Sequence, residues 1–446
     1  MRLGERTVLL FGTPSVLSKI RTMISNKLQE SIREEEDKQM TKTPNSLRIH
    51  IGIFGKTNSG KSSLLNAMTN HEYAIVSSVA GTTADPVHKT MEIAGIGAVL
   101  LTDTAGFCDE TELGEKRLIK TFDSLNRTDI ILALFSAEDD SDDFAWFEKL
   151  TPFKNQKLIP VITKIDAVSA EKATSLKCEV QNITGEMPVF VSAPQRSGID
   201  VLFERIKALS GREKRNESLT GNLCAEGDLV LLVMPQDIQA PKGRLILPQV
   251  QVLRELLDKK CVVSCCEVNM LPKMLTELKR APKLIITDSQ AFKIVFDAKS
   301  DESMLTSFSV LMASSKGDIE LFRNGADQIK KLTNDSKVLI AEACTHVPLE
   351  EDIGRVKIPR MLRKIAPEMQ IDFVRGSDFP HVLADENGNR IYDLIIQCGS
   401  CMFNRTYVTY RQTLALNSGT PMTNYGLAIA QMAGILGNVA IPGLTE

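Results

Sequence analysis

The segment GKTNSGKS at residues 55–62 constrains the fold more than any other part of the sequence. It matches the phosphate-loop pattern G-x-x-x-x-G-K-[ST], and it lies between the strand-like run LRIHIGIF and a helix-like run. In that context the backbone N–H groups of the loop and the helix N-terminus bind phosphate groups. Further strand-like runs alternate with helical patterns up to residue 193, which predicts a doubly wound parallel α/β sheet.

Three motifs predict the residues that bind phosphates and Mg²⁺. Lys61 would reach the β- and γ-phosphates, and the Ser62 hydroxyl would bind Mg²⁺. The run AGTTAD (80–85) provides Thr83 or Thr82 as a second Mg²⁺ ligand, and DTAG (103–106) provides a carboxylate for a Mg²⁺-bound water and an N–H for the γ-phosphate. The residues that we predict to be catalytic are Lys61, Thr83, Asp103 and Gly106.

Two further motifs predict that the nucleotide is GTP. In TKID (163–166) the Asp166 carboxylate can accept from both N1–H and N2–H of guanine, a donor pair that adenine lacks. In SA (192–193) a backbone N–H would donate to guanine O6. The residues that we predict to contact GTP are Gly55, Asn58, Ser59, Gly60, Lys61, Ser62, Ser63, Thr82, Thr83, Asp103, Gly106, Thr163, Lys164, Asp166, Ser192 and Ala193.

Five motifs in this order resemble those of the translation-factor-type GTPases, in the branch that includes MnmE and Era. Thr163 stands where that family more often has Asn, a departure that would weaken guanine selectivity. Phe107 stands where many GTPases have a water-orienting Gln. The resemblance implies that Asn58 helps to bind K⁺, which would neutralise developing charge as an arginine finger does. The alternative is a slow GTPase in which Asn58 only caps the loop.

The remaining sequence predicts two smaller α/β domains. A chain of 446 residues with 43% hydrophobic residues is long enough for two to four domains. We divide it into an N-terminal extension (1–46), a GTPase domain (47–211), a second domain (226–299) and a third domain (300–446). The net charge of −3 gives no reason to expect nucleic acid as a partner, and the sequence has no apolar run long enough for a membrane span.

Three cysteines form the second candidate site. Cys398 and Cys401 form a C-x-x-C after one strand-like run, and Cys344 and His346 follow another. Parallel strands that end at one edge of a sheet would bring the three thiols together. Three thiolates can hold a [4Fe–4S] cluster whose fourth iron has no Cys ligand. Cys₃His is also a zinc pattern, C-x-x-C can be a redox dithiol, and thiols can simply be buried, so spacing alone leaves these alternatives open.

The runs EACTH, DIGRVKIPR, CGSCMFNR and PMTNYGLAIAQ resemble the C-terminal domain of the [FeFe]-hydrogenase maturation GTPases, the HydF family. The order of domains also matches, so the resemblance covers residues 47–446. It implies a [4Fe–4S] cluster on the three cysteines and a homodimer formed by the middle domain. Gln397 stands where the family has a second His. His346, Glu342 or an exogenous molecule would therefore be the fourth cluster ligand.

The resemblance implies a scaffold that hydrolyses GTP, receives a diiron precursor and delivers it to apo-hydrogenase, with the radical-SAM maturases as further partners. The alternative is a TrmE/Era-like GTPase directed at the ribosome or tRNA, with a zinc or redox domain at its C-terminus. The basic residues Arg355, Lys357 and Arg360 would either hold the anionic diiron species or form a solvated charged loop.

The first 46 residues bear on the compartment. Their acid-poor start, with Arg, Lys, Ser and Thr spread through it, fits an organellar transit peptide, and a short extra strand and helix is the alternative. We expect the cytoplasm if the protein is bacterial, and a hydrogenosome, mitochondrion-like organelle or plastid if the segment is a transit peptide. The odd count of nine cysteines favours a reducing compartment.

Overall fold

The described residues of the computed structural model are 43–71, 74–77, 87–104, 112–139, 144–148, 150, 156–210, 218–235, 245–343 and 352–445. They form three β-sheets with helices packed against them. Most of the N-terminal extension, residues 1–42, lies outside these ranges. Within the described ranges, no helix has both the length and the apolar character needed to cross a bilayer.

The first sheet has seven strands. In chain order they are β1 (Ile49–Gly55), β2 (Ala74–Ser77), β3 (Val87–Ile93), β4 (Gly97–Asp103), β5 (Ile130–Ser136), β6 (Lys157–Thr163) and β7 (Val189–Val191). Their spatial order is β2-β3-β4-β1-β5-β6-β7, with β3 antiparallel to both of its neighbours and all other pairs parallel. The helices of this domain are α1 (Lys61–Thr69), α2 (Glu112–Leu125), α3 (Ala145–Glu148), α4 (Ala170–Thr184) and α5 (Ile199–Leu209).

Both faces of the first sheet are buried. Ile53 of β1 packs in a core on one face, and the next residue, Phe54, packs in a separate core on the other face. Successive side chains of a strand point to opposite faces, so a strand covered by helices on both sides reads as a continuous apolar run. This arrangement confirms the predicted doubly wound sheet, although the sheet is mixed and not wholly parallel as predicted, because β3 is antiparallel to β2 and β4.

Two smaller parallel sheets follow. The second sheet contains β8 (Leu229–Val233), β9 (Val262–Cys266), β10 (Leu284–Thr287) and β11 (Met304–Ser307), in the order β11-β10-β8-β9. Its helices are α6 (Leu247–Asp258), α7 (Leu271–Glu277) and α8 (Phe292–Ala298). Because β11 pairs with β10, the sheet continues beyond residue 299, where the sequence analysis ended the second domain.

The third sheet contains β12 (Lys337–Glu342), β13 (Gln370–Arg375), β14 (Leu394–Gln397) and β15 (Met422–Asn424), in the order β13-β12-β14-β15. Its helices are α9 (Phe308–Lys316), α10 (Ile319–Asp327), α11 (Ile358–Ile365), α12 (Arg405–Asn417) and α13 (Tyr425–Met432), with a π-helical turn at Ile353–Lys357.

The second and third sheets share one hydrophobic core. Val233 and Phe292 from the second region belong to the same buried cluster as Ile340 and Leu427 from the third. The backbone N–H of Ala440 also donates to the Leu305 carbonyl at 2.7 Å, which joins the C-terminal segment to β11. The two predicted α/β domains are thus present and packed against each other.

Candidate functional site

The phosphate loop connects the end of β1 to the start of α1. Asn58 and Gly60 have left-handed φ angles of 62° and 89°, which let the loop turn sharply before the helix. The Lys61 Nζ donates to the carbonyl oxygens of Gly55 at 3.2 Å and Lys56 at 2.7 Å. The ammonium therefore lies across the loop, where phosphate groups bind in this type of site.

Ser62 and Asp103 meet where α1 begins and β4 ends. The Ser62 Oγ donates to the Asp103 Oδ2 at 2.6 Å. Burial raises the pKa of the Asp103 carboxyl, and the hydrogen bond from Ser62 and the charge of Lys61 oppose that rise. A hydroxyl beside a carboxylate is the pair of oxygen ligands that the sequence predicts around Mg²⁺. The other residues predicted here lie outside the described part of the chain: Thr82, Thr83, Gly106 and Phe107.

The motif predicted to read guanine lies at the end of β6. The Thr163 Oγ1 donates to the Ser59 carbonyl at 2.7 Å, so this residue ties β6 to the phosphate loop. Lys164 has a left-handed φ of 57°, and its Nζ pairs with the Glu138 carboxylate at 2.8 Å. Asp166 is exposed in the next turn, where its carboxylate is accessible to a ligand.

A cavity of about 310 Å³ lies between the phosphate loop and the ends of β5 and β6. Its lining includes Asn58 and Lys164 together with the aromatic side chains of Phe144 and Trp146. Aromatic walls combined with a few polar groups are typical of small-molecule sites. The SA segment at 192–193, predicted to contact guanine O6, directly follows β7.

The thiol loop, defined as residues 398–403, leaves the end of β14 beside the end of β12. The parallel register pairs Ala341 with Gln397, so the two strands end at the same edge, as the sequence predicts. The backbone N–H of Ala343 donates to the Cys398 Sγ at 3.0 Å. Ser400 has a left-handed φ of 54°, which forms the turn between Cys398 and Cys401.

The structure describes two of the three cysteines predicted to form the metal site, Cys398 and Cys401. Cys344 and His346 lie outside the described residues. In the ranges that the structure does describe, no three His, Cys, Asp or Glu side chains are grouped so as to hold a metal ion. Cys398 and Cys401 are half-buried thiols. Two cysteine thiols at the end of a strand can act as ligands of iron or zinc.

Lys316, at the end of α9, is buried behind the thiol loop. Its Nζ donates to the carbonyl oxygens of Ser400 at 2.9 Å, Cys401 at 3.2 Å and Phe403 at 2.7 Å. Burial lowers the pKa of the Lys316 ammonium to about 8, and the thiols of Cys401 and Cys398 oppose that shift. Sequence reasoning missed this residue.

Arg411 of α12 is a second buried cation near the loop. Its side chain is 0% exposed, and its guanidinium lies 4.5 Å from the ring centroids of Phe379 and Phe403. The Nη1 donates to the Gln397 Oε1 at 3.3 Å, and the Gln397 Nε2 donates to the Ser400 Oγ at 2.7 Å. Both ends of the Gln397 amide are therefore engaged within the protein.

Glu342 ends β12 and is held by two arginines. Its carboxylate accepts from Arg355 Nη2 at 2.7 Å and from Arg375 Nε at 3.1 Å. The Lys357 Nζ donates to the Gln290 Oε1 at 2.7 Å. Two of the three basic residues singled out in the sequence thus have internal partners, and Glu342, one candidate for the fourth ligand, is already ion-paired.

The helix that follows the thiol loop contacts the first domain. The Asn404 Nδ2 donates to the Arg127 carbonyl at 2.7 Å, and the Thr406 Oγ1 donates to the Asp129 Oδ1. The Arg127 guanidinium also lies 4.5 Å from the centroid of the Tyr407 ring. Because Arg127 and Asp129 lie between α2 and β5, partly buried polar contacts join the first domain to the start of α12.

Comparison with known families assigns the three regions. The description "Hydrogen maturase F dimerization domain" matches residues 219–317, and "Hydrogen maturase F tetramerization domain" matches residues 320–441. A third description, "50S ribosome-binding GTPase", matches residues 50–164. The chain belongs to the HydF-type hydrogenase maturation GTPases. The resemblance recognised in the sequence is confirmed.

Membership of the HydF family establishes the general role. The combination of a GTPase domain with the two HydF domains supports a GTP-binding hydrogenase maturation protein, and the GTPase domain supports binding of GTP with Mg²⁺ and GTP hydrolysis. The two HydF domains support oligomerisation. A dimer formed by the middle domain is the prediction from the sequence. The tetramerization domain lies in the region predicted to bind the iron–sulfur cluster, and the sequence did not predict it.

Curated relatives match the GTPase region. The tRNA modification GTPase MnmE of Vesicomyosocius okutanii is 34% identical over 172 residues, covering 38% of this chain and 36% of that protein. MnmE of Dichelobacter nodosus is 33% identical over 208 residues, covering 45% of this chain and 43% of that protein. The chain thus spans less than half the length of these relatives.

Solved structures give a weaker likeness. Era of Aquifex aeolicus bound to GDP and AlF₄⁻ is 21% identical, with a TM-score of 0.31, 49% of this chain covered and 92% of that chain. The G domain of the T. maritima FeoB iron transporter is 20% identical, with a TM-score of 0.29, 37% of this chain covered and 99% of that chain. At these TM-scores, neither likeness bears on function.

Proposed function

We propose that this HydF-type protein is a GTP-hydrolysing scaffold that binds a [4Fe–4S] cluster at the thiol loop. It carries the diiron precursor of the [FeFe]-hydrogenase H-cluster and delivers it to apo-hydrogenase. The observation that carries this proposal is the hydrogen bond from the Ala343 N–H to the Cys398 Sγ. Because Cys344 directly follows Ala343, this contact supports Cys344, Cys398 and Cys401 as the three thiolate ligands.

The fourth position of the cluster has an exchangeable ligand in this proposal. Gln397 is engaged by Arg411 and Ser400, and Glu342 would have to give up its arginine partners to bind iron. His346 or an exogenous molecule therefore fills the position. When bound, a cluster with three thiolates supplies one iron with an exchangeable ligand, to which the diiron cargo can attach. The partners are the radical-SAM maturases as donors and apo-hydrogenase as acceptor.

The residues of the GTPase domain have separate roles in hydrolysis. Lys61 contacts the β- and γ-phosphates, and Ser62, Asp103 and Thr83 hold Mg²⁺ and its water, while the Gly106 N–H contacts the γ-phosphate. Asp166 selects guanine through its carboxylate. Asn58 would bind K⁺, a role supported by its location in the phosphate loop and in the lining of the adjacent cavity.

Metal analysis tests the proposal. Protein purified without oxygen is assayed for iron, acid-labile sulfide and zinc, as wild type, Cys398→Ser and Cys178→Ser. Cys178 is exposed on α4 of the GTPase domain and serves as the matched control. We expect iron and sulfide in the wild type and in Cys178→Ser, and loss of both in Cys398→Ser. Zinc without iron in the wild type would instead support a structural metal domain.

A further inference from the structure

Two buried cations lie behind the thiol loop without carboxylate partners among the described residues. Lys316 is 7% exposed and Arg411 is 0% exposed. Glu342, the carboxylate that ends β12 at this edge, is already paired with Arg355 and Arg375. A buried cation without a counter-charge is costly, and proteins keep one where an anion offsets it.

The contacts of Lys316 are directed at the loop backbone. An ammonium has three N–H donors, and all three are used by loop carbonyls, those of Ser400, Cys401 and Phe403. These hydrogen bonds fix the segment that carries both thiols. They also bring one positive charge directly beneath it, with the Cys401 and Cys398 thiols as the titratable groups that act on it.

Arg411 reaches the same loop through Gln397. The guanidinium is enclosed by aromatic rings, which stabilise a cation through their faces but carry no net charge. Its Nη2 donates to the Gly376 carbonyl, and its Nη1 donates to Gln397, which in turn donates to Ser400. Gln397 is a neutral amide, so it links Arg411 to Ser400 by hydrogen bonds and adds no negative charge beside the guanidinium.

We propose that Lys316 and Arg411 are the built-in counter-charge of the thiol loop, and that they set the affinity and the reduction potential of the anionic metal–thiolate group bound there. The inference rests on the proposed function, because it takes Cys398 and Cys401 as metal ligands. Three thiolates on a [4Fe–4S] cluster give a net negative unit, and a cyanide-bearing diiron cargo adds further negative charge. Lys316 and Arg411 are positioning residues whose positive charges favour binding of the negatively charged cluster and its cargo.

The test separates charge from hydrogen bonding at position 316. Lys316→Gln removes the charge and keeps an N–H donor, Lys316→Met removes both, and Lys316→Arg keeps the charge. Lys330→Met is the matched control, because the Lys330 side chain is 69% exposed and pairs with Asp327 at the surface. Anaerobic redox titration of the reconstituted cluster gives the reduction potential, and Cd²⁺ titration of the metal-free protein, followed by thiolate–Cd²⁺ absorbance, gives a metal affinity.

We expect Lys316→Gln and Lys316→Met to shift the reduction potential to more negative values, because a nearby positive charge stabilises the reduced cluster. We also expect Cd²⁺ affinity to fall by about tenfold or more in both variants, as removal of a charge at close range in a protein interior implies. Lys316→Arg should stay near the wild type in both measurements, and Lys330→Met should match it.

Two results would overturn the inference in different ways. If the wild type loads a cluster and Lys316→Gln shows the same potential and the same Cd²⁺ affinity, the counter-charge idea is wrong and the proposed scaffold stands. If the wild type takes up neither iron nor Cd²⁺ at these thiols, the proposed function fails and the inference fails with it.

Discussion

At the scale of single residues, Asn58 has two properties that bear on hydrolysis. Its φ of 62° turns the phosphate loop sharply, and the residue lies in the lining of the cavity beside that loop. Asn is one of the few residue types that tolerate a left-handed backbone while also offering an oxygen ligand. One residue thus combines a role in loop geometry with a proposed role as a K⁺ ligand.

We predict that K⁺ raises the rate of GTP hydrolysis by about tenfold or more over Na⁺, part of what an arginine finger provides. Asn58→Gly should remove this difference, because glycine keeps the left-handed backbone and deletes the amide oxygen. Rates are measured in the two salts at equal ionic strength, with Asn70→Ala at the end of α1 as the control. Equal rates in the two salts for the wild type would rule out the K⁺ role.

Thr163, which stands where related GTPases more often have Asn, has a structural role of its own. Its hydroxyl donates to the Ser59 carbonyl at 2.7 Å, and this hydrogen bond holds the guanine motif against the phosphate loop. The sequence analysis regarded Thr163 as a weakness in guanine recognition. The hydrogen bond from the Thr163 hydroxyl to the phosphate loop could not be predicted from the sequence, because it depends on how close β6 lies to Ser59.

At the scale of elements, α12 links the thiol loop to the GTPase domain. Asn404 caps its N-terminus, where its Oδ1 accepts from the Tyr407 N–H at 3.3 Å, and the same side chain donates to the Arg127 carbonyl. A cap that also crosses a domain contact fixes both the start of the helix and the position of the preceding loop. Asn404 therefore contributes both to the start of α12 and to the docking of the domains.

We predict that Asn404→Ala lowers the free energy of unfolding by about 2 kcal/mol, from one lost cap and one lost buried hydrogen bond. Ser169→Ala is the control, because Ser169 caps α4 on an exposed surface and should cost about 1 kcal/mol or less. Chemical denaturation measures both values. Amide hydrogen exchange should rise in residues 398–407 only in Asn404→Ala, and no increase there would argue against the linking role.

The position of the thiols at the strand ends could be predicted from the sequence, whereas the buried lysine that contacts the thiol loop could not. Two apolar runs, each followed by cysteine, suffice to predict that Cys398 lies beside the end of β12, because parallel strands end at a common edge. Lys316 has no comparable signal. Its partners lie more than eighty positions later in the chain, and a lysine in the last turn of a helix is ordinarily solvent-exposed.

At the scale of the whole molecule, the second and third sheets form one packed unit and the GTPase domain docks on it. The shared core explains why the boundary near residue 300 is not evident in the sequence, since β11 and α9 contribute to both regions. The Thr406 Oγ1 donates to the Asp129 Oδ1, and the His50 N–H donates to the Asp129 Oδ2 at 2.9 Å. Asp129 is therefore bonded both to β1 and to the helix after the thiol loop.

The measurement that tests the account most directly is electron paramagnetic resonance of the chemically reduced protein, recorded before and after cyanide is added. Three thiolates and an open iron predict a [4Fe–4S] signal that changes on addition of cyanide and is lost in Cys398→Ser. A signal that cyanide leaves unchanged, together with full cluster loading in Cys398→Ser, would contradict the assignment of the thiol loop as the cluster site.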